Sequence, residues 1–173
     1  KDCYLGIEFA REGFIVIMPS FRAMEADKKE KDISLHLMLN NFTLMGLRVY
    51  ESLLILEYLL CLDMVDPFRI GIIAHSGGSV VANLLVRITD KVQALAIDHV
   101  SNYVDLLRDF RTLHCEVIPY LCRYRETLNN QKSLHIPVIK VRYNYFKNHK
   151  ESILNFFKEH LKFLTKNEEL KKD

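Results

Sequence analysis

Five consecutive residues, Ala74-His75-Ser76-Gly77-Gly78, could do chemistry by their types and order. They form a Gly-x-Ser-x-Gly pattern with Ala74 in place of the first glycine. The apolar segment Arg69-Ile70-Gly71-Ile72-Ile73-Ala74 precedes them, and a helical pattern over 77–88 follows. A strand that must turn sharply into a helix throws the serine out at the tip in a strained conformation. Ala74 and Gly78 are small, which lets strand and helix approach closely. The helix N-terminus directs its N–H groups and positive dipole end at charge that develops beside Ser76. The Gly77 N–H is then the natural first oxyanion donor. Such an arrangement predicts acyl transfer through a serine hydroxyl. The competing reading is a glycine-rich turn with an incidental serine. A phosphate loop is disfavoured, because neither Gly-x-Gly-x-x-Gly nor the Walker pattern occurs.

Positioning that serine takes a sheet, and the apolar runs predict one. Residues 4–12 read as a helix that stops at Gly13. Phe14-Ile15-Val16-Ile17-Met18, closed by Pro19, is a continuous apolar run that predicts a strand buried on both faces. Residues 20–40 form a polar excursion at the sheet's edge, with the charge run Asp27 to Asp32 on a solvated loop or helix face. A long helix is predicted over 43–62, broken at Val65-Asp66-Pro67. Further strands fall at 69–74, 92–97 and 136–141. The helix over 77–88 would carry Val81, Leu84, Leu85 and Ile88 on one side. Residues 101–131 read as mostly helical, interrupted at Pro119. An amphipathic helix over 150–165 groups Ile153, Phe156, Phe157, Leu161 and Leu164. Residues 166–173 are a charged tail. Strands alternating with helices predict an α/β fold, with a mainly parallel sheet and helices on both faces. Sites in such sheets lie at the carboxyl ends of the strands, here just after 18, 74, 97 and 142.

Asp66-Pro67-Phe68-Arg69-Ile70-Gly71-Ile72 ahead of Ala-His-Ser-Gly-Gly resembles the D-P-x-R-I-G-[IV]-x-G-x-S-x-G segment of the α/β-hydrolase superfamily. It is most similar to the dienelactone hydrolase, acetyl xylan esterase and prolyl oligopeptidase-like branches. Gly13 to Ala23 resembles their fourth strand and its P-D-x-R-G turn, although Ser20 and Ala23 depart from that turn's Asp and Gly. Gly46 and the helix after it match the helix before the elbow strand. The resemblance covers residues 5–100 well. It implies one α/β-hydrolase domain over 1–173 that lacks the N-terminal strands, about the C-terminal two-thirds of the fold.

The resemblance also implies a mechanism: serine attacks an ester or amide carbonyl, histidine takes its proton, and a carboxylate orients the histidine. In the family's order of Ser, acid, His, the implied base is His149, just after the last strand. It reads almost equally well as a surface histidine in Lys147-Asn148-His149-Lys150. His75 stands within the elbow without being the implied base, His99 and His114 are weaker candidates, and His160 reads as packing. No carboxylate follows the last strand until Glu151. Asp98, which closes the third predicted strand, is therefore the first choice of acid and Asp105 the second. Asp98 reads equally as a helix N-cap or loop carboxylate. The family's second oxyanion donor comes from a loop upstream of Lys1, and loss of one donor costs about 10²–10³ in turnover. A shortened sheet would expose an edge strand, so further sequence or an oligomeric partner is expected.

Composition narrows the remaining classes. The 173 residues are 49% apolar and 27% charged, which suits one globular domain. With 24 basic and 22 acidic side chains, the formal charge is +2, so nucleic acid is not an expected partner. No run reaches roughly 18 apolar residues, the length a membrane span needs; the richest, Leu53 to Leu62, is interrupted by Glu57. No signal peptide is read at the start. Cys3, Cys61, Cys115 and Cys122 form no Cys-x-x-Cys pair and have no histidine cluster at zinc spacing. They predict free thiols in a reducing, cytoplasmic setting, with a Cys115–Cys122 bridge left open.

The expected function is a serine hydrolase of esterase type acting on a small-molecule ester or amide. Ser76 is acylated, His149 acts as base and then acid, Asp98 orients it, and Gly77 holds the oxyanion. No metal or organic cofactor is required. Phe110, Tyr120 and Tyr124 in the 100–130 excursion permit an acyl or aryl group. Two other readings stand beside this one. The departures at Ser20, Ala23 and Ala74, with no acid in the usual place, fit a non-catalytic α/β-hydrolase-like binding protein. A prolyl oligopeptidase-like peptidase would normally add a gating domain.

Overall fold

Alternation along the central strand decides how the layers stack. In the computed structural model, which describes residues 3–23, 29–98, 134–141 and 146–161, three strands pair in the order β1 (Gly71–Ala74), β2 (Ala94–Ile97), β3 (Val138–Lys140). Both pairings are parallel, with Gly71 opposite Ala94, Ala74 opposite Ile97 and Ile97 opposite Lys140. Successive side chains point to opposite faces. Ala94 and Ala96 accordingly join one core with Ile73, Ile139 and Val141, while Leu95 and Ile97 join another with Ile72, Ala74 and Val138.

Each face is covered by helices. On the first lie α1 (Cys3–Arg11) and the final helix, α5 (Lys150–His160), through Phe9, Ile153, Leu154, Phe157 and Leu161. The small side chains of Ala94 and Ala96 leave room for these rings. Phe9 and Phe157 meet edge to face at 6.0 Å. On the second face lie α4 (Gly77–Ile88) and α3 (Leu44–Leu60), which pack on each other through Met45, Val49, Val80 and Val81. Thr43 starts α3 by accepting the Gly46 N–H at 2.9 Å. Leu56 of α3 closes the base of this layer with Ile70 and Val92. The expected α/β architecture with a parallel sheet between two helical layers is what forms.

Gly71 makes a close approach on the first face. A Cβ there would lie 2.5 Å from Phe157 Cε1 and 2.8 Å from Cδ1. That ring is buried in the core. Gly71→Ala should therefore destabilise the domain by about 1–3 kcal/mol, the usual cost of overpacking. A thermal melt checks this, with a Tm several degrees below wild type expected.

Two expectations are corrected here. Phe14–Met18 is not a strand. It pairs with no strand among the described residues, and Ile15 and Met18 are 53% and 59% exposed. Phe14 packs with Phe9 on the first face, and Phe21 packs against α3 and α4 on the second. The stretch from Phe14 to Phe21 is thus anchored at its two ends on opposite faces. A continuous apolar run signals burial only where neighbouring strands exist to bury it. The helix over 77–88 also differs in detail: Ile88 is exposed, whereas Val80, Ala82 and Asn83 are buried.

The polar excursion contains α2 (Glu30–Leu39), with Glu30 and Asp32 in its first turn, where carboxylates complement the helix dipole. Arg48, buried on α3, donates to Glu30 Oε1 at 2.6 Å and to the Arg22 carbonyl at 3.0 Å. It ties both the excursion and the turn after Pro19 to α3. Ala23 in that turn takes φ 69°, a conformation that favours glycine.

The entry to β1 is set by Asp66. Its carboxylate accepts the Phe68 N–H at 2.9 Å and Arg69 Nε at 2.6 Å. The Phe68 bond, then Arg69, hold the Asp66 carboxyl below the usual aspartate range. A depressed folded pKa means that this turn's contribution is present above the ordinary carboxylate range. It is lost as pH falls through the lowered value. A carboxyl-carbon NMR titration should show Asp66 titrating below an ordinary aspartate, and Arg69→Ala should move it partway back.

Candidate functional site

The register of β1 and β2 builds the site. Ala74 stands opposite Ile97, so the residues that follow, His75-Ser76 and Asp98, emerge side by side at the carboxyl edge of the sheet. β1 ends here because its chain turns directly into α4.

Ser76 joins β1 to α4 with φ 51° and ψ −125°. A serine that caps a helix normally has extended backbone, and its hydroxyl accepts an N–H from the first turn. Ser76 does neither: its φ is positive, and its side chain makes no capping bond. Holding a non-glycine residue in such a conformation costs on the order of 1–3 kcal/mol. Its surroundings supply the compensation.

Asp98 is the centre of that support. Its side chain is 0% exposed. Oδ1 accepts the Ser76 N–H at 2.9 Å and lies 3.3 Å from Ser79 Oγ. Oδ2 is hydrogen-bonded to His75 Nδ1. Ser79, itself fully buried, has its shorter contact with the Ala74 carbonyl, to which its hydroxyl donates at 2.8 Å. One carboxylate and one hydroxyl thus link the ends of both strands to the first turn of α4.

The amides of this turn are nearly all committed. Gly78 N–H donates to the His75 carbonyl and Ser79 N–H to the Ser76 carbonyl, each at 2.9 Å. Ser76 N–H is taken by Asp98. Among the described residues, Gly77 N–H has no acceptor, as expected for one of the orphan donors at a helix start. It lies at the positive end of a 12-residue helix. A serine hydroxyl that caps nothing, an adjacent N–H without an acceptor among the described residues, and a helix N-terminus together favour negative charge on a group bound beside the serine. At Gly78, an added Cβ would sit 3.9 Å from Ala74 Cβ, which is ordinary contact. The strand and helix approach there leaves room for one methyl group.

Of the residues picked out from sequence, the structure brings together Ala74, His75, Ser76, Gly77, Gly78 and Asp98. His149 is not part of that hydrogen-bonded group among the described residues. It ends a 3-10 turn (Phe146–His149), precedes α5 and is exposed. It makes no hydrogen bond to Ser76 or Asp98 among the described residues. The imidazole at Asp98 is that of His75, whose side chain is 41% exposed. His160 sits on α5 with its ring 4.6 Å from that of Phe156. His99, His114, Asp105, Phe110, Tyr120, Tyr124, Cys115 and Cys122 fall outside the described residues, as does the predicted helical segment 101–131.

Sequence reasoning missed the His75–Asp98 pairing and the part played by Ser79. A signal for the pairing existed. Two parallel strands of equal length, each followed by a polar residue, bring those residues to one level of the edge. The role of Ser79 depends on how tightly the first helical turn closes on Ala74, for which no residue spacing stands.

Among the described residues, no group of three or more His, Cys, Asp or Glu side chains could hold a metal ion. Cys61 is a free, exposed thiol. No described helix is long and apolar enough to cross a membrane. Comparison with protein-family models, with curated proteins and with solved structures finds no match in any of the three. The fold therefore speaks for the general α/β class: a three-stranded parallel sheet between helices, with Ser76 and Asp98 at its carboxyl edge.

Proposed function

We propose that this chain is a serine hydrolase of esterase type, acting on a small-molecule ester through an acyl-enzyme on Ser76. The observation that carries the reading is the Ser76 backbone, φ 51° at a strand-to-helix junction, with a hydroxyl that does no capping. The unused Gly77 N–H beside it suits the tetrahedral oxyanion. In this reading, Ser76 Oγ attacks the carbonyl carbon, and the α4 N-terminus favours the charge that forms on the carbonyl oxygen. His149, on the chain that follows β3, takes the serine proton and returns it to the leaving alcohol. Water then releases the acid by the same steps. Support for His149 comes from the resemblance of residues 66–78 to α/β-hydrolases and from its place after the last strand.

A fluorophosphonate probe tests the reading. Covalent labelling of the intact protein, abolished in Ser76→Ala, is the expected result. Absence of labelling in the folded wild type would remove it.

A second reading has a specific observation behind it. The Asp98 carboxylate is occupied by His75, the Ser76 N–H and the neighbouring Ser79 hydroxyl. A site so arranged also suits a binding protein, in which the Ser76 hydroxyl and the Gly77 N–H hold a ligand's carbonyl or carboxylate without turnover. Reversible protection of the Gly77 amide by a carboxylate ligand, with no labelling, would favour it.

A further inference from the structure

The carboxylate at the end of β2 has more partners than orienting one imidazole requires. Asp98 is wholly buried, and its two oxygens are divided between separate tasks. Oδ1 takes the Ser76 N–H at 2.9 Å, while Oδ2 takes His75 Nδ1. Ser79, on the first turn of α4, reaches both Oδ1 at 3.3 Å and the Ala74 carbonyl at 2.8 Å. These contacts bracket Ser76 on both sides: His75 before it, its own N–H, and Ser79 after it. A positive φ at a serine persists only where neighbouring contacts over-determine it. The contacts that do so here converge on one carboxylate.

We infer that Asp98 and Ser79 are positioning residues, which hold the Ser76 main chain in its left-handed conformation and so aim Oγ and the Gly77 N–H. This assignment rests on the esterase reading for its catalytic meaning, but its structural content stands by itself. It differs from the role of a triad acid in one chemical respect. Accepting the Ser76 N–H needs an oxygen at that place, not a negative charge. Asparagine keeps such an oxygen; alanine does not. A triad acid, by contrast, needs its charge and the tautomer it enforces, and its amide variant loses about 10⁴-fold in turnover.

The experiment compares Asp98→Asn, Asp98→Ala and Ser79→Ala in the full chain. Two readouts are used: the fluorophosphonate labelling rate with its pH profile, and hydrogen exchange at the Ser76 amide. Asp98→Asn should label within about tenfold of wild type with the same pH profile, and keep the Ser76 amide slow to exchange. Asp98→Ala should label about 100-fold more slowly and exchange that amide at least about tenfold faster. Should Asp98→Ala fail to fold, Ser79→Ala carries the test. It retains the carboxylate and should slow labelling by about tenfold with an unchanged circular dichroism spectrum. Asp98→Asn falling about 10⁴-fold with its fold intact would overturn the inference in favour of a triad acid. Unaltered Ser76 exchange in both Asp98→Ala and Ser79→Ala would also overturn it. Should the wild type not label at all, the esterase reading fails, and amide exchange alone still decides whether Asp98 holds the turn.

Discussion

Ser76→Ala is expected to lower turnover of an activated ester by about 10⁶-fold, the scale seen when the nucleophile of a serine hydrolase is removed. Stability should hardly move. The Ser76 hydroxyl caps nothing, so its loss leaves no helix donor or buried acceptor unsatisfied. Alanine also keeps the backbone strain, since it is no better suited than serine to φ 51°. Ser76→Gly separates the two contributions. Glycine tolerates that φ without steric cost, so this variant should be more stable than Ser76→Ala, with activity equally absent. A stability gain on loss of the nucleophile is what a strained active serine predicts. Steady-state hydrolysis of p-nitrophenyl acetate and thermal melts of the three proteins provide the readings.

His149→Ala carries the second large effect. As general base and acid, His149 should contribute at least about 10⁴-fold to turnover, with labelling slowed in parallel. Stability should again change little, because His149 is exposed and its side chain makes no capping bond to α5. A variant that retains full rate moves the base to His99 or His114. The consequence for the structure is definite. With its ring in use, His149 must come within hydrogen-bond reach of Ser76 Oγ when substrate is bound, a contact that the described residues do not make. Measuring kcat/KM against pH for wild type and variant checks this, since the limb that reports the base should vanish with the imidazole.

The legibility of the chain varied with the kind of information each segment carries. The turn at 74–78 was readable because a serine among small residues, between an apolar run and a helical pattern, marks a sharp passage from strand to helix. The helices over 44–60 and 77–88 were readable from helical spacing, the first with the break at Val65-Asp66-Pro67 beyond it. Phe14–Met18 was misread because its composition describes a buried strand while its partners decide whether one forms. Asp98 was singled out by its place at a strand end, but the identity of the imidazole beside it depends on register between residues 23 apart in the chain, His75 and Asp98. His149 was placed by resemblance alone. Its relation to Ser76 depends on the path of the chain after β3, which apolar periodicity does not encode. Ala23 shows the same limit from the other side. The resembling turn has glycine there, this chain has alanine, and the backbone still takes φ 69°.

The central claim is that Ser76 Oγ is an activated nucleophile facing the Gly77 N–H. A crystal structure of the fluorophosphonate-treated protein tests it most directly. The account predicts phosphorus bonded to Ser76 Oγ, with a phosphoryl oxygen about 2.7–3.1 Å from the Gly77 nitrogen. An unmodified Ser76 with the probe attached at another residue, or an adduct whose oxygens turn away from Gly77, would contradict it.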